Sequence, residues 1–213
     1  MTDSPKEKIR MTVAEYMALP ESNLHTELIN GELIVHEGKE GMSPAPKDIH
    51  QRISFIISAY LLQFFPAHEL RTAPTDVHFD DGNIVQPDVF WVSTESGQCV
   101  LHDDGYLHGA PDFVIEILSP TTTKHDRGTK FDLYQKQGVR EYWMIEPEGR
   151  FVEVYRLEES RFVRQGLFED GQYLGYGFSY YKENDGTVPL KFVYDDSPAG
   201  KAGLQRGDLI ISI

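Results

Sequence analysis

Apolar residues recur at helical spacing from Ile49 through Ile53, Ile56, Ile57, Tyr60 and Leu61 to Phe64, which predicts a helix over about residues 47–65. A shorter helix is expected in "MTVAEYMALP". Thr12 stands as its N-cap, Glu15 completes a capping box and Pro20 follows its end. "TELINGELIVHEG" reads as two short strands around the turn Asn30-Gly31. "GMSPAPKD" reads as a loop. "TDVHF" and "VQPDVFWV" read as strands with the turn "DDGN" between them, and "DFVIEIL" is the nearly continuous apolar run of a strand buried on both faces. Ser119-Pro120 ends that strand. Thr121 to Thr123 can cap a helix running to about Gln137, with Gly138 in the C′ position. "EYWMIE" and "FVEVYRL" follow as strands joined by "PEGR", and "RFVRQGLF" reads as another. Beyond it "GQYLGYGFSYYKENDG" is rich in Gly and Tyr and poorly periodic, and no solenoid-length repeat is present. The pattern is α/β: a mixed sheet with one long helix before it and one inserted after its central strand.

Composition narrows the class. The chain has 213 residues, enough for one domain with a sizeable core and an appendage. No apolar run reaches the roughly 20 residues of a membrane span. The start "MTDSPKEKIR" has no apolar stretch of the signal-peptide type. The single cysteine, Cys99, excludes an internal disulfide and a cysteine-rich zinc site. Together these lead to the expectation of a cytoplasmic protein. The net charge of −14 means that any nucleic-acid surface must concentrate its bases locally.

Glu116 is the position that asks for chemistry. It lies among Phe113, Val114, Ile115, Ile117 and Leu118, and ionised carboxylates are rarely buried without a partner. One explanation is a structural salt bridge. The other uses Asp88, a second acid inside an apolar strand. Two buried acids on adjacent strands repel unless a cation lies between them, and a hard divalent ion answers that need. Such an ion activates water and holds a phosphate, and a nearby lysine stabilises the charge that develops in phosphodiester cleavage. Lys130 has Leu133 and Tyr134 at i+3 and i+4, which puts it on the inward helix face, with Asp126 at i−4. The plain alternative for Lys130 is a surface ion pair with Asp126, in which case its removal changes stability by only about 0.5 kcal/mol. Lys124 lies in the loop or first turn, where solvation is expected. Asp112 shares a strand face with Glu116 by period two and is the alternative metal acid, although its place at the strand's beginning puts it further away.

These pieces together resemble a family. "TVAEYMALP", "ELINGELI", a helix opened by His50, "VQPDVFWV", "GAPDFVIEILSPTTTKHDRGTKFDLYQKQGVREYWMIEP" and "VEVYRL" occur in the order of the Uma-two family of restriction-endonuclease-like proteins, within the PD-(D/E)XK nuclease superfamily, over about residues 10–160. The resemblance implies a restriction-endonuclease-like core: a mixed central β-sheet flanked by helices, with an N-terminal helix and hairpin. It implies a magnesium- or manganese-dependent endonuclease acting on DNA. Asp88 and Glu116 would be metal ligands, with the Ile117 carbonyl a third. The superfamily's motif lysine should stand two residues after Glu116, where this chain has Leu118. In this family a helix lysine takes its place, which maps onto Lys130. The family's N-terminal acid maps onto Glu27, as an outer or additional metal acid. The histidine at the helix start maps onto His50, for phosphate or water, or for a local hydrogen bond at the helix start. Lys124, Arg127 and Lys136, together with Lys130 and Arg140, are the nearest basic cluster for nucleic acid. A homodimer is a further expectation.

The tail "VYDDSPAGKAGLQRGDLIISI" resembles part of a PDZ domain, too short to complete a peptide groove, so peptide binding is not expected of it. The expected division is a nuclease-like domain over 10–175 and an extension over 176–213. Two functions follow: a metal-dependent nuclease, or a catalytically inactive scaffold of the same fold with the tail as an association element. The acid–acid–lysine set favours the first, and the net charge favours the second.

Overall fold

The computed structural model describes residues 9–20, 25–35, 48–120, 122–169, 172–174, 178–180, 190–193, 203 and 205. The capping box forms as its residue types dictate. Thr12 Oγ1 accepts from the Glu15 amide at 3.2 Å and the Glu15 carboxylate accepts from the Thr12 amide at 2.8 Å, opening helix α1 (Val13–Met17). The hairpin is β1 (Thr26–Ile29) and β2 (Glu32–Val35), and Asn30 and Gly31 both take positive φ in its turn, 52° and 71°. Helix α2 (Asp48–Leu61) is followed by β3 (Leu70–Thr72), β4 (Val77–Asp80), β5 (Asn83–Val85), β6 (Val89–Trp91), β7 (Cys99–Leu101), β8 (Leu107–Gly109) and β9 (Phe113–Ile117). The inserted helix has three parts: α3 (Thr123–His125), a π-helical turn (Asp126–Lys130) and α4 (Phe131–Gln137), closed by Gly138 at φ 88°. Strands β10 (Glu141–Glu146), β11 (Phe151–Glu158), β12 (Arg161–Glu169) and β13 (Gln172–Leu174) follow, then the hairpin of β14 (Phe178–Tyr180) and β15 (Leu190–Val193).

The strands build two mixed sheets, ordered β2-β1-β5-β4-β8-β7 and β13-β12-β11-β10-β9-β6-β3. The α/β class read from the sequence holds, but a second sheet replaces the expected single one. The division falls inside "VQPDVFWV". Pro87 has no N–H to give to a ladder, and the chain leaves the first sheet at Val85 and enters the second at Val89. Strands β3, β7 and β8 are three residues each, too short for a periodic signal.

Strand β9 is central, fully buried, parallel to β10 and antiparallel to β6. Its two faces meet different helices. Phe113, Ile115 and Ile117 pack with Ile53, Ile57 and Leu61 of α2. Val114, and Leu118 just past the strand, pack with Leu133 and Tyr134 of α4. By alternation Glu116 therefore points to the face of the inserted helix. Of the apolar positions that predicted α2, Ile49 and Ile56 are 47% and 59% exposed, so the stripe against the sheet is narrower than the periodicity suggests. No described helix is long and apolar enough to cross a membrane. The PDZ-like stretch lies almost wholly outside the described residues.

Candidate active site

Four elements converge on one buried cage. The β6–β9 register pairs Val89 with Ile115, and one step further along it sets Asp88 opposite Glu116. Strand β1, in the other sheet, contributes Glu27, which is fully buried. The bend between β5 and β6 ties the two sheets here, because the Gln86 amide donates to Glu27 Oε1 at 2.9 Å. The inserted helix contributes Asp126, Lys130 and Tyr134 from one face, four residues apart. Its π-helical turn covers Asp126–Lys130, and such turns recur at functional sites.

Lys130 is the centre. Its Nζ lies 2.8 Å from Glu27 Oε1, 3.0 Å from Glu116 Oε1 and 3.9 Å from Asp126 Oδ1, and the residue is only 2% exposed. The surface pair with Asp126 that the helix spacing allowed is thus a buried cluster instead. Leu118, two residues after Glu116, is buried in the apolar core and brings no charge. Burial would strip the proton from Lys130, but the charges of Glu116, Glu27 and Asp126 outweigh it and hold the ammonium well above its ordinary range. Burial pushes Glu116 well up; Lys130 opposes this, while Asp88, Asp126 and Glu27 add to it. Asp126 is raised for the same first reason, against Lys130 and a Thr122 hydrogen bond.

Two tyrosines close the cage. Tyr134 OH donates to Glu116 Oε1 at 2.6 Å, and Tyr142 OH donates to the Asp126 carbonyl at 3.2 Å. Burial, then the Glu116 charge, keeps the Tyr134 phenol protonated and a donor. Tyr134→Phe removes a buried hydrogen bond to a carboxylate and will cost about 1.5–3 kcal/mol. Urea denaturation measures it, and an unchanged midpoint would show that Glu116 finds another donor.

Asp88 is held from two sides. Its Oδ2 accepts from the Ile117 amide at 2.7 Å and from His50 Nε2 at 3.1 Å. His50 is therefore tied to a site residue rather than to its own helix start. Burial lowers its proton affinity, yet the Asp88 hydrogen bond and the Asp88 and Asp126 charges raise it overall. Both hydrogen bonds to Asp88 land on Oδ2, and both to Glu116 on Oε1. Asp88 Oδ1 and Glu116 Oε2 are the oxygens that remain. Among the described residues no group of three or more His, Cys, Asp or Glu side chains stands in a metal-holding arrangement. Two hard carboxylate oxygens still suit a magnesium-like ion, which keeps several of its waters instead of demanding an all-protein cage.

Other candidates fall elsewhere. Asp112 accepts from the Ser93 amide and the Ser96 hydroxyl and pairs with Arg140 at 2.8 Å, a structural knot at the far end of β9. Arg127 bonds Glu153 and lies over the Phe151 ring, so its charge is already answered by β11. Lys124 and Lys136 are exposed on the helix. Sequence reasoning missed Asp126 as a member of the cage, and His125, whose Nε2 stands 3.8 Å from Glu27 Oε2. The i, i+4, i+8 spacing of Asp126, Lys130 and Tyr134 was the available signal for the first. His125 had none, because its neighbour Glu27 lies about a hundred residues earlier.

The family described as "Putative restriction endonuclease" (Uma2) matches residues 13–175 of the chain. Among solved structures, a putative nuclease belonging to DUF820 from Anabaena variabilis ATCC 29413 shares the fold, with a TM-score of 0.58 and 22% identity over 76% of this chain and 86% of that one. Among curated proteins none matches it.

Proposed function

The chain belongs to the Uma2 family, and from that premise we propose that it is a metal-dependent endonuclease that hydrolyses DNA phosphodiester bonds in the cytoplasm. Asp88 and Glu116 would hold a magnesium or manganese ion through the oxygens left over from their protein hydrogen bonds, with the Ile117 carbonyl as a third donor. The ion supplies a water of lowered pKa and neutralises phosphate charge. His50 and the Ile117 amide fix the Asp88 carboxylate in place. Glu27 and Asp126 keep Lys130 charged, and the Lys130 ammonium orients Glu116 and offsets negative charge as it builds on the phosphate.

The observation that carries this reading is the buried lysine. A helix residue delivers an ammonium to Glu116 in the place where the strand itself offers Leu118. The test is cleavage of supercoiled plasmid and of single-stranded DNA. Millimolar Mg²⁺ or Mn²⁺ should support nicking, chelation should stop it, and Asp88→Asn should reduce it by about 10²–10³-fold, a loss on the scale of one electrostatic group. No cleavage of either substrate with either ion would leave the inactive scaffold as the better account.

A further inference from the structure

The inserted helix has a second charged face. Lys124, Gly128, Asp132 and Lys136 follow one another at i+4 steps, away from the face that carries Asp126, Lys130 and Tyr134. Here the surface opens into a groove of about 740 Å³, lined by Lys124, His125, Thr129, Asp132, Lys136 and, from the β1–β2 turn, Asn30. Lys124 and Lys136 make no ion pair among the described residues, whereas Arg127 and Arg140 are tied to Glu153 and Asp112. His125 sits where the groove meets the cage, its side chain 17% exposed and its Nε2 3.8 Å from the buried Glu27.

We propose that this groove seats the phosphate backbone of one nucleic-acid strand, with Lys124 and Lys136 as its two cationic anchors and His125 as the contact nearest the cage. The proposal deepens the nuclease reading and rests on it for the class of ligand. An α-helix would rise roughly 18 Å from Lys124 to Lys136 at 1.5 Å per residue, and the π-helical turn Asp126–Lys130 shortens that span. Asp132, between the anchors, repels phosphate, so the strand is held at the two ends and touches neutral Asn30 and Thr129 in between. On a chain of net charge −14, this stripe presents two exposed lysines that stand outside ion-pair distance of every described carboxylate, with Lys136 acting only at longer range on Asp80. Contact with His125 brings the strand within one side chain of Glu27.

The experiment measures anisotropy of a labelled single-stranded oligonucleotide, in chelator, across a salt series. Wild type should bind at low salt and weaken along a straight log–log line. Lys124→Ala/Lys136→Ala should flatten that slope by about 1.4, at about 0.7 per lost phosphate contact on a single strand. The same variant should weaken low-salt binding at least tenfold. Arg52→Gln, an exposed base on α2, which packs against the other face of β9, should change neither. His125→Leu should weaken binding several-fold, and His125→Gln, which keeps a donor, should recover most of it. An unchanged slope in the double-lysine variant overturns the proposal. So does absence of binding at low salt, or displacement of the oligonucleotide by polyglutamate at equal charge concentration, which would mark an acidic-peptide seat. The two readings fail separately. Binding that follows this pattern without any metal-dependent cleavage sinks the catalytic cage alone. Cleavage with an unaltered salt slope sinks the groove alone.

Discussion

Lys130→Met will cost roughly 3–5 kcal/mol of stability at neutral pH, the usual toll of removing one partner from a buried charge cluster. It will also lower cleavage by about 10²–10³-fold. The stability figure departs from the helix-pair estimate of about 0.5 kcal/mol, because the lysine lies inside the molecule between Glu27 and Glu116. Methionine keeps most of the stem's packing, so the loss reports the missing charge. Its pH dependence identifies the cause. Burial already holds Glu116 above the ordinary carboxylate range, and Lys130 is the influence that pulls it down. Without the ammonium Glu116 rises further, and the native state then binds more protons than the unfolded chain. Stability therefore falls as pH rises through that interval. In wild type the Lys130 proton is itself held well above its ordinary affinity, so the ammonium that opposes the rise of Glu116 persists across the whole range from pH 5 to 8. The deficit of the variant will shrink toward pH 5, where the carboxyls take up protons, and widen toward pH 8. Urea denaturation at the two pH values measures it. A deficit of equal size at both would place the damage in packing rather than in the acids.

The second large effect is thermal. At free Mg²⁺ or Mn²⁺ of 100 times its Kd, an ion bound only by the native state adds about 2.7 kcal/mol. For a chain of this size each kcal/mol moves Tm by about 2–4 °C, so a rise of roughly 5–10 °C is expected. Glu116→Gln will abolish the rise and still fold. The amide oxygen keeps an acceptor for Tyr134 or Lys130, a buried carboxylate's desolvation is relieved, and Lys130 retains Glu27 at 2.8 Å. A wild type that ignores millimolar metal, or a Glu116→Gln protein that still responds, would remove the ion from Asp88 and Glu116.

Local rules settled much of this protein in advance. The capping box of Thr12 and Glu15, the Asn30-Gly31 turn, the Gly138 stop and the buried run of β9 each follow from a few neighbouring residues, and each forms as those residues dictate. Period two sets Glu116 on a definite face, and the i+3 and i+4 neighbours of Lys130 set it inward, so the acid and its cation are legible in the sequence alone. Their partners were not. That Glu27 rather than Asp88 shares the ammonium with Glu116 depends on β1 of one sheet meeting the inserted helix of the other. Pro87 marks the break inside "VQPDVFWV" locally, but which sheet each half joins is a pairing decision between strands, which no local pattern encodes. The same holds for the basic residues. Lys124, Arg127, Lys136 and Arg140 read alike along the chain, and only packing against Glu153 and Asp112 separates the two arginines from the two lysines that line the groove. Periodicity tells which way a side chain points within its own element. What stands opposite is decided by long-range pairing and by the low dielectric of the interior, where each charge is fixed by the nearest group able to answer it.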